Sequence, residues 1–211
     1  MNRVLKHTFL LLLSLVVVSK AMAQNERYSF SENNGIKVRT EWGIGVEASH
    51  TRLSHTSADV IVKPNFGLGG HVHIGVVFGR NFAVETEIHY QRGSVDVASP
   101  RLGVSDKIET RTNDIPVMLS LRLLNNRIQF DAGAMFTVMS RAEYLDQDNT
   151  MFFGPMYSTW NLTFGAAVRL TRHFLLEAHY VYPLAETANQ YMASEFAMRT
   201  SRINGGVTLM F

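Results

Sequence analysis

From Gly35 onward the chain alternates apolar and polar residues with a period of two, the signature of half-buried β-strands. In NFAVETEIHYQRG, starting at Asn81, Phe82, Val84, Thr86, Ile88 and Tyr90 share one face. Ala83, Glu85, Glu87, His89 and Gln91 share the other. Matching faces across turns pairs such runs into hairpins. A turn at Gly79 to Asn81 sets Phe78 opposite Phe82, Val76 opposite Val84 and His73 opposite Glu87. Asn125 and Asn126 tolerate the positive φ of a tight turn and set Leu123 against Ile128 and Leu121 against Phe130. On the opposite face Arg122 then meets Gln129 and Ser120 meets Asp131. A third turn at Thr171 to His173 sets Leu170 against Phe174 and Val168 against Leu176. An initial strand alternates Trp42, Ile44 and Val46 with Glu41, Gly43, Gly45 and Glu47. A final strand alternates Ile203, Val207, Leu209 and Phe211 with Arg202, Asn204, Thr208 and Met210, and together these runs predict eight strands.

The connections alternate in length. The three turns named above are tight, whereas residues 51–64, 98–106, 145–155 and 185–195 read as long polar loops. Short turns at one end and long loops at the other are the asymmetry of outer-membrane barrels. The inward face follows from side-chain size. An eight-stranded barrel has an interior just wide enough for side chains. Gly43, Gly45, Gly67, Gly69, Gly75, Gly133, Gly165 and Gly206 share a face with Glu47, Glu85, Glu87, Arg122, Asp131, Arg169, Glu177 and Arg202, so the charged face is the inner one. The other face carries Trp42, Phe78, Phe82, Phe130 and Phe174 towards the tight turns, and Tyr90, Trp160, Tyr180 and Tyr182 towards the loops. Two aromatic girdles with aliphatic residues between them suit a bilayer. The expectation is an all-β, eight-stranded antiparallel up-and-down transmembrane β-barrel, integral to the bacterial outer membrane.

The first residues change the accounting. Arg3 and Lys6, an apolar run from Phe9 to Val18 and an Ala21-Met22-Ala23 site form a cleavable secretory signal peptide over residues 1–23. Residues 24–35 follow as a short periplasmic segment, and 36–211 form the barrel. Removing Arg3, Lys6 and Lys20 leaves 17 of the 20 basic residues against 18 acidic ones, so the mature chain is close to neutral and no basic block points to nucleic acid. Cysteine is absent, which excludes disulfides, thiolate metal sites and thiol nucleophiles. No later stretch is apolar and long enough for a transmembrane helix.

The register gathers His71, His73, Glu85, Glu87 and His89 inside the barrel. Imidazole and carboxylate groups can hold zinc or relay protons. Buried charges must also be paired, and a satisfied polar network accounts for the cluster without a metal or cofactor. That network extends to Arg122, Asp131, Arg169, Glu177, His179 and Arg202. A lipid hydrolase would instead need a serine, histidine and carboxylate triad. Ser49 or Ser54 with His50 or His55 and Glu47 are its candidates near the first loop, but a non-enzymatic role is expected. Eight strands leave little lumen, which disfavours a pore.

Two stretches carry a family likeness: NDIPVMLSLRL from Asn113 to Leu123, and the preceding ETEIHYQRG strand with its aromatic and terminal glycine. They resemble the small outer-membrane barrels grouped with the PorT family, common in Bacteroidota-type Gram-negative bacteria, with Asp114 in place of the usual glutamate. The resemblance implies service to a secretion or envelope assembly, with partners among those proteins. Phe211, a terminal aromatic after an alternating strand, resembles the signal read by the outer-membrane assembly machinery. Membrane lipid is the other expected partner, and a monomer the expected state. Pro116 cannot donate to a ladder, so a bulge or local break is expected near it.

Overall fold

The computed structural model describes residues 38–144, 153–192 and 194–211. The signal-peptide and periplasmic-segment assignments, and residues 145–152 with Asp146 and Asp148, lie outside them. Among the described residues there is no helix, and the chain forms β1 (Val38–His55), β2 (Ile61–Pro64), β3 (Gly67–Phe78), β4 (Phe82–Ser99) and β5 (Val104–Leu123). There follow β6 (Ile128–Tyr144), β7 (Trp160–Arg169), β8 (Phe174–Pro183), β9 (Thr187–Tyr191) and β10 (Ser194–Met210). Neighbours pair antiparallel in the order β1-β3-β4-β5-β6-β7-β8-β10, and β1 pairs β10 to close the ring. Closure leaves the ring no open edge at membrane depth.

The ring holds the eight expected strand rows. Two of them are broken, and proline explains both breaks. β2 pairs the upper end of β4 until Pro64, where a shift through Asn65 and Phe66 precedes β3. β8 ends at Pro183, and β9 resumes pairing on β10. A ring without an amide hydrogen cannot continue the ladder, so each row restarts as a short strand.

The registers follow the turns. Phe78 pairs Phe82, His73 pairs Glu87, Leu121 pairs Phe130, Arg122 pairs Gln129 and Val168 pairs Leu176. The β5–β6 turn is tightened by positive φ at Leu124, Asn125 and Asn126. At Pro116 the β4–β5 ladder is interrupted, and Thr86 Oγ1 donates to the Pro116 carbonyl at 2.9 Å. Opposite Asn113 and Asp114 the β5–β6 register shifts, leaving Val138 as the bulged residue. Downstream of it Ser140 and Ala142, rather than the odd-numbered residues, turn inward.

The expected long loops need correction. β4 and β5 stay paired up to Ser99 and Val104, so 98–106 is a tight hairpin, and 185–195 is largely the β9–β10 hairpin. A spanning strand needs about 9–11 residues, whereas β4 has 18 and β5 has 20. Residues that read as polar loops are strands prolonged beyond the lipid.

Lipid-side and bore-side positions separate cleanly. Leu119 and Val46 are 70% and 69% exposed, while Glu87 and Arg122 on the opposite faces are 1% exposed. Trp42 and Phe211 stack at 4.2 Å between ring centres, closing the β1–β10 seam at the tight-turn end.

Candidate functional site

The bore is filled in three tiers. At the tight-turn end Glu41 of β1 accepts from Arg122 Nη1 at 2.8 Å and from Arg169 Nη2 at 3.0 Å. Arg122 Nη2 also donates to Glu85 at 2.6 Å. Gln129 Nε2 donates to the other Glu85 oxygen at 2.6 Å and to Asp131 at 3.0 Å. Met118, the cross-strand partner of Glu85, is buried beside this tier, whereas Met135 lies higher, with its sulfur 3.7 Å from Arg202 Nη2.

The middle tier holds the imidazoles. His73 Nδ1 lies 2.9 Å from Glu87 Oε1. Both ring nitrogens of His89 face carboxylates, Glu47 at 2.8 Å and Glu87 at 2.6 Å. Gln91 also donates to Glu47 at 2.7 Å. His71 Nε2 sits 2.7 Å from Thr208 Oγ1 and 2.9 Å from Glu177, and Thr208 donates to Glu177 at 2.6 Å. The His71 and His89 rings lie 5.0 Å apart, and His179 is 3.8 Å from Asp131. Glycine makes room here: a Cβ on Gly45 would collide with the His71 imidazole, and one on Gly165 with His179.

Above them Arg202 Nη2 donates to Asp114 at 2.6 Å, and its guanidinium lies 4.9 Å from the Tyr157 ring centre. Thr137 donates to the second Asp114 oxygen at 2.7 Å, and Tyr157 hydrogen-bonds Thr51 at 2.9 Å. Every interior residue expected from the sequence therefore lies in the bore. Glu41, Glu47, Gln91, Asp114, Gln129 and Thr208 complete the network. Strand alternation placed Glu41 and Glu47 inward already. Asp114 has the same parity as Arg122 along β5, and that parity was the signal for its role.

One ligand atom each from Glu47, His71 and His89 come within 4.8 Å of one another, as do those of His71, Glu87 and Glu177. Most of their donors and acceptors are matched to one another by the bonds above, and among the described residues His71 Nδ1 and His73 Nε2 are buried without a hydrogen-bond partner, so the cluster is first a polar network. The candidate triad residues are divided between the two faces of β1, with Glu47, Ser49 and His55 on one and His50 and Ser54 on the other. Ser49 is buried in the bore while His50 is on the outer face of β1. His55 Nε2 lies 2.6 Å from the Val60 carbonyl, and Glu47 is engaged by His89 and Gln91.

Beyond Arg202 the filling changes character. Val60, Val62, Val95, Val97, Ile108, Phe153, Met156, Tyr191, Phe196 and Met198 pack as one buried apolar cluster across the outer end of the ring. Residues 153–158, expected within or beside a solvated external loop, fold into it. The Met156 and Tyr157 amides donate to Ser140 Oγ, and the Gln190 amide donates to the Phe153 carbonyl. This apolar plug was not foreseen from the sequence.

A closed ring with a charged bore and a greasy outer belt defines a small outer-membrane β-barrel. The chain belongs to the family of the outer membrane protein beta-barrel domain, whose profile matches residues 22–189. It is similar to the crystal structure of the outer membrane protein OprG from Pseudomonas aeruginosa, with a TM-score of 0.55 and 13% identity over 82% of this chain and 95% of that one. It is similar also to Neisserial surface protein A, NspA, with a TM-score of 0.52 and 15% identity over 81% of this chain and 97% of that one. At such identities the likeness concerns the fold. No curated protein matches the chain by sequence. Its location is the bacterial outer membrane.

Proposed function

We propose that the protein is a non-enzymatic, monomeric element of the outer membrane, structural or binding, that serves a secretion or envelope assembly in the manner of the PorT group. The observation that carries this reading is the double closure of the bore. The salt-bridged tiers around His89 and Arg202 occupy the membrane-spanning length, and the Val97–Ile108–Met198 cluster lies across the outer end. A water-filled conduit needs open cross-section, and both levels are occupied by side chains. Work on this scaffold falls to its lipid-facing and water-facing surfaces. The NDIPVMLSLRL and ETEIHYQRG stretches support the PorT assignment.

Two measurements test it. Purified protein in planar bilayers should give no unitary conductance steps, and steps persisting at high purity would contradict the reading. Crosslinking in native membranes followed by purification of the full chain should retain an envelope or secretion protein. Recovery of the chain alone would remove the assembly role.

A further inference from the structure

The outer surface of the barrel carries a charge arrangement that the bore network does not explain. Arg92 of β4 pairs directly with Arg111 of β5, and Arg111 pairs directly with Arg141 of β6. Direct partners on one face lie about 4.5–5.5 Å apart at Cβ, and like charges so placed are destabilising. Three guanidiniums therefore stand in a row about 10 Å long across three strands. The bulge at Val138 brings Arg141 onto the outer face. Carboxylate compensation is incomplete. Glu109 is met through the Nε of both Arg92 and Arg111, and Glu143 pairs opposite Glu109 one step further from the lipid. Among the described residues no ion pair engages Arg141, and the Arg92 and Arg111 side chains remain 60% and 41% exposed.

Height decides what the row faces. Tyr90, two residues below Arg92 on the same face, closes the lipid-exposed series from Phe82, and Val138 lies below Arg141 at 57% exposure. Leu68, the cross-strand partner of Arg92 on β3, is 70% exposed. The guanidiniums thus sit where acyl chains give way to headgroups on the side of the prolonged strands. Guanidinium forks match the paired oxygens of a phosphate, and such charge-assisted bonds are stronger than neutral ones.

We propose that Arg92, Arg111 and Arg141 form a binding site for the phosphate groups of an outer-leaflet lipid, whose acyl chains lie against Leu68, Ile88 and Val138. The anion supplies the counter-charge that the row lacks, and the apolar surface below confines it to an amphiphile.

The full-length processed chain in neutral detergent micelles is titrated with diphosphorylated lipid A, with its enzymatically dephosphorylated form, and with inorganic phosphate. The diphosphorylated lipid should bind tightest. Arg141→Gln should weaken it about tenfold, equivalent to one lost charge-assisted bond. A triple Gln variant of the row should weaken it on the order of a hundredfold or more. Arg101→Gln, remote in the β4–β5 turn, should leave binding unchanged. All variants are checked for folding by heat-modifiable gel migration, and Arg→Lys at all three positions, which keeps the charge, gives a second reading if the Gln variant misfolds. It should recover part of the affinity. The proposal is overturned if the dephosphorylated lipid binds equally well, if inorganic phosphate binds as tightly as the lipid, or if a folded triple Gln or Arg141→Gln variant binds like the parent.

Discussion

Two stretches of the same strand show opposite polarity. In the lower part of β4 the bore side carries Glu85, Glu87, His89 and Gln91, while the outer side carries Phe82, Val84, Ile88 and Tyr90. From Arg92 onward the bore side carries Val95 and Val97, and the outer side Arg92, Ser94 and Asp96. The inward parity never changes. What changes is the solvent outside the ring: lipid rewards an apolar exterior and leaves polar residues the interior, whereas water restores the ordinary hydrophobic core. β5 repeats the inversion, with Arg122 and Asp114 inward below and Ile108 inward above, against Leu119 and Lys107 outward. One ring thus contains a membrane barrel and, stacked on it, a small water-soluble one.

The contrast can be broken most severely in the lower part. Arg202→Ala strips Asp114 of the guanidinium that faces it in the bore, leaving the Thr137 hydrogen bond, and should cost about 3–5 kcal/mol in reversible urea unfolding from lipid vesicles. Replacing both members by apolar residues, Arg202→Met with Asp114→Leu, should recover most of that loss, because a buried pair gains little over good packing. On the outside, Leu119→Arg near the middle of the belt should cost about 2–4 kcal/mol in the same assay. Within the apolar plug, Ile108→Val should cost about 0.5–1.5 kcal/mol. The smallest effect sharpens the comparison: Ser94→Arg, on the outer face of the upper tier, should change stability by less than about 0.5 kcal/mol. A cost at Ser94 similar to that at Leu119 would place the upper strands in lipid.

The lower barrel was legible in the sequence because alternation fixes faces and turn chemistry fixes register. His73 opposite Glu87 and Arg122 opposite Gln129 follow from those two constraints alone. The upper barrel was harder to read for three physical reasons. Alternation assigns Val95 to the face of Glu85 but does not say which solvent borders the strand there. The Val138 bulge reverses inward parity in β6, and nothing in the local pattern marks it. Pro64 and Pro183 interrupt their rows and make prolonged strands look like loops. Asp114 hid in a motif valued for family likeness, although its parity placed it beside the Arg202 charge. The Arg92–Arg111–Arg141 row needed the register of three strands and that bulge together.

The most direct test uses the absence of cysteine, which lets single nitroxide labels be placed without background. With Val84→Cys and Asp96→Cys labelled in the refolded protein in bilayers, oxygen should relax the label at 84 strongly, and a water-soluble nickel complex should relax the one at 96. A label at 84 shielded from oxygen, in a protein that stays dissolved without detergent, would contradict the account.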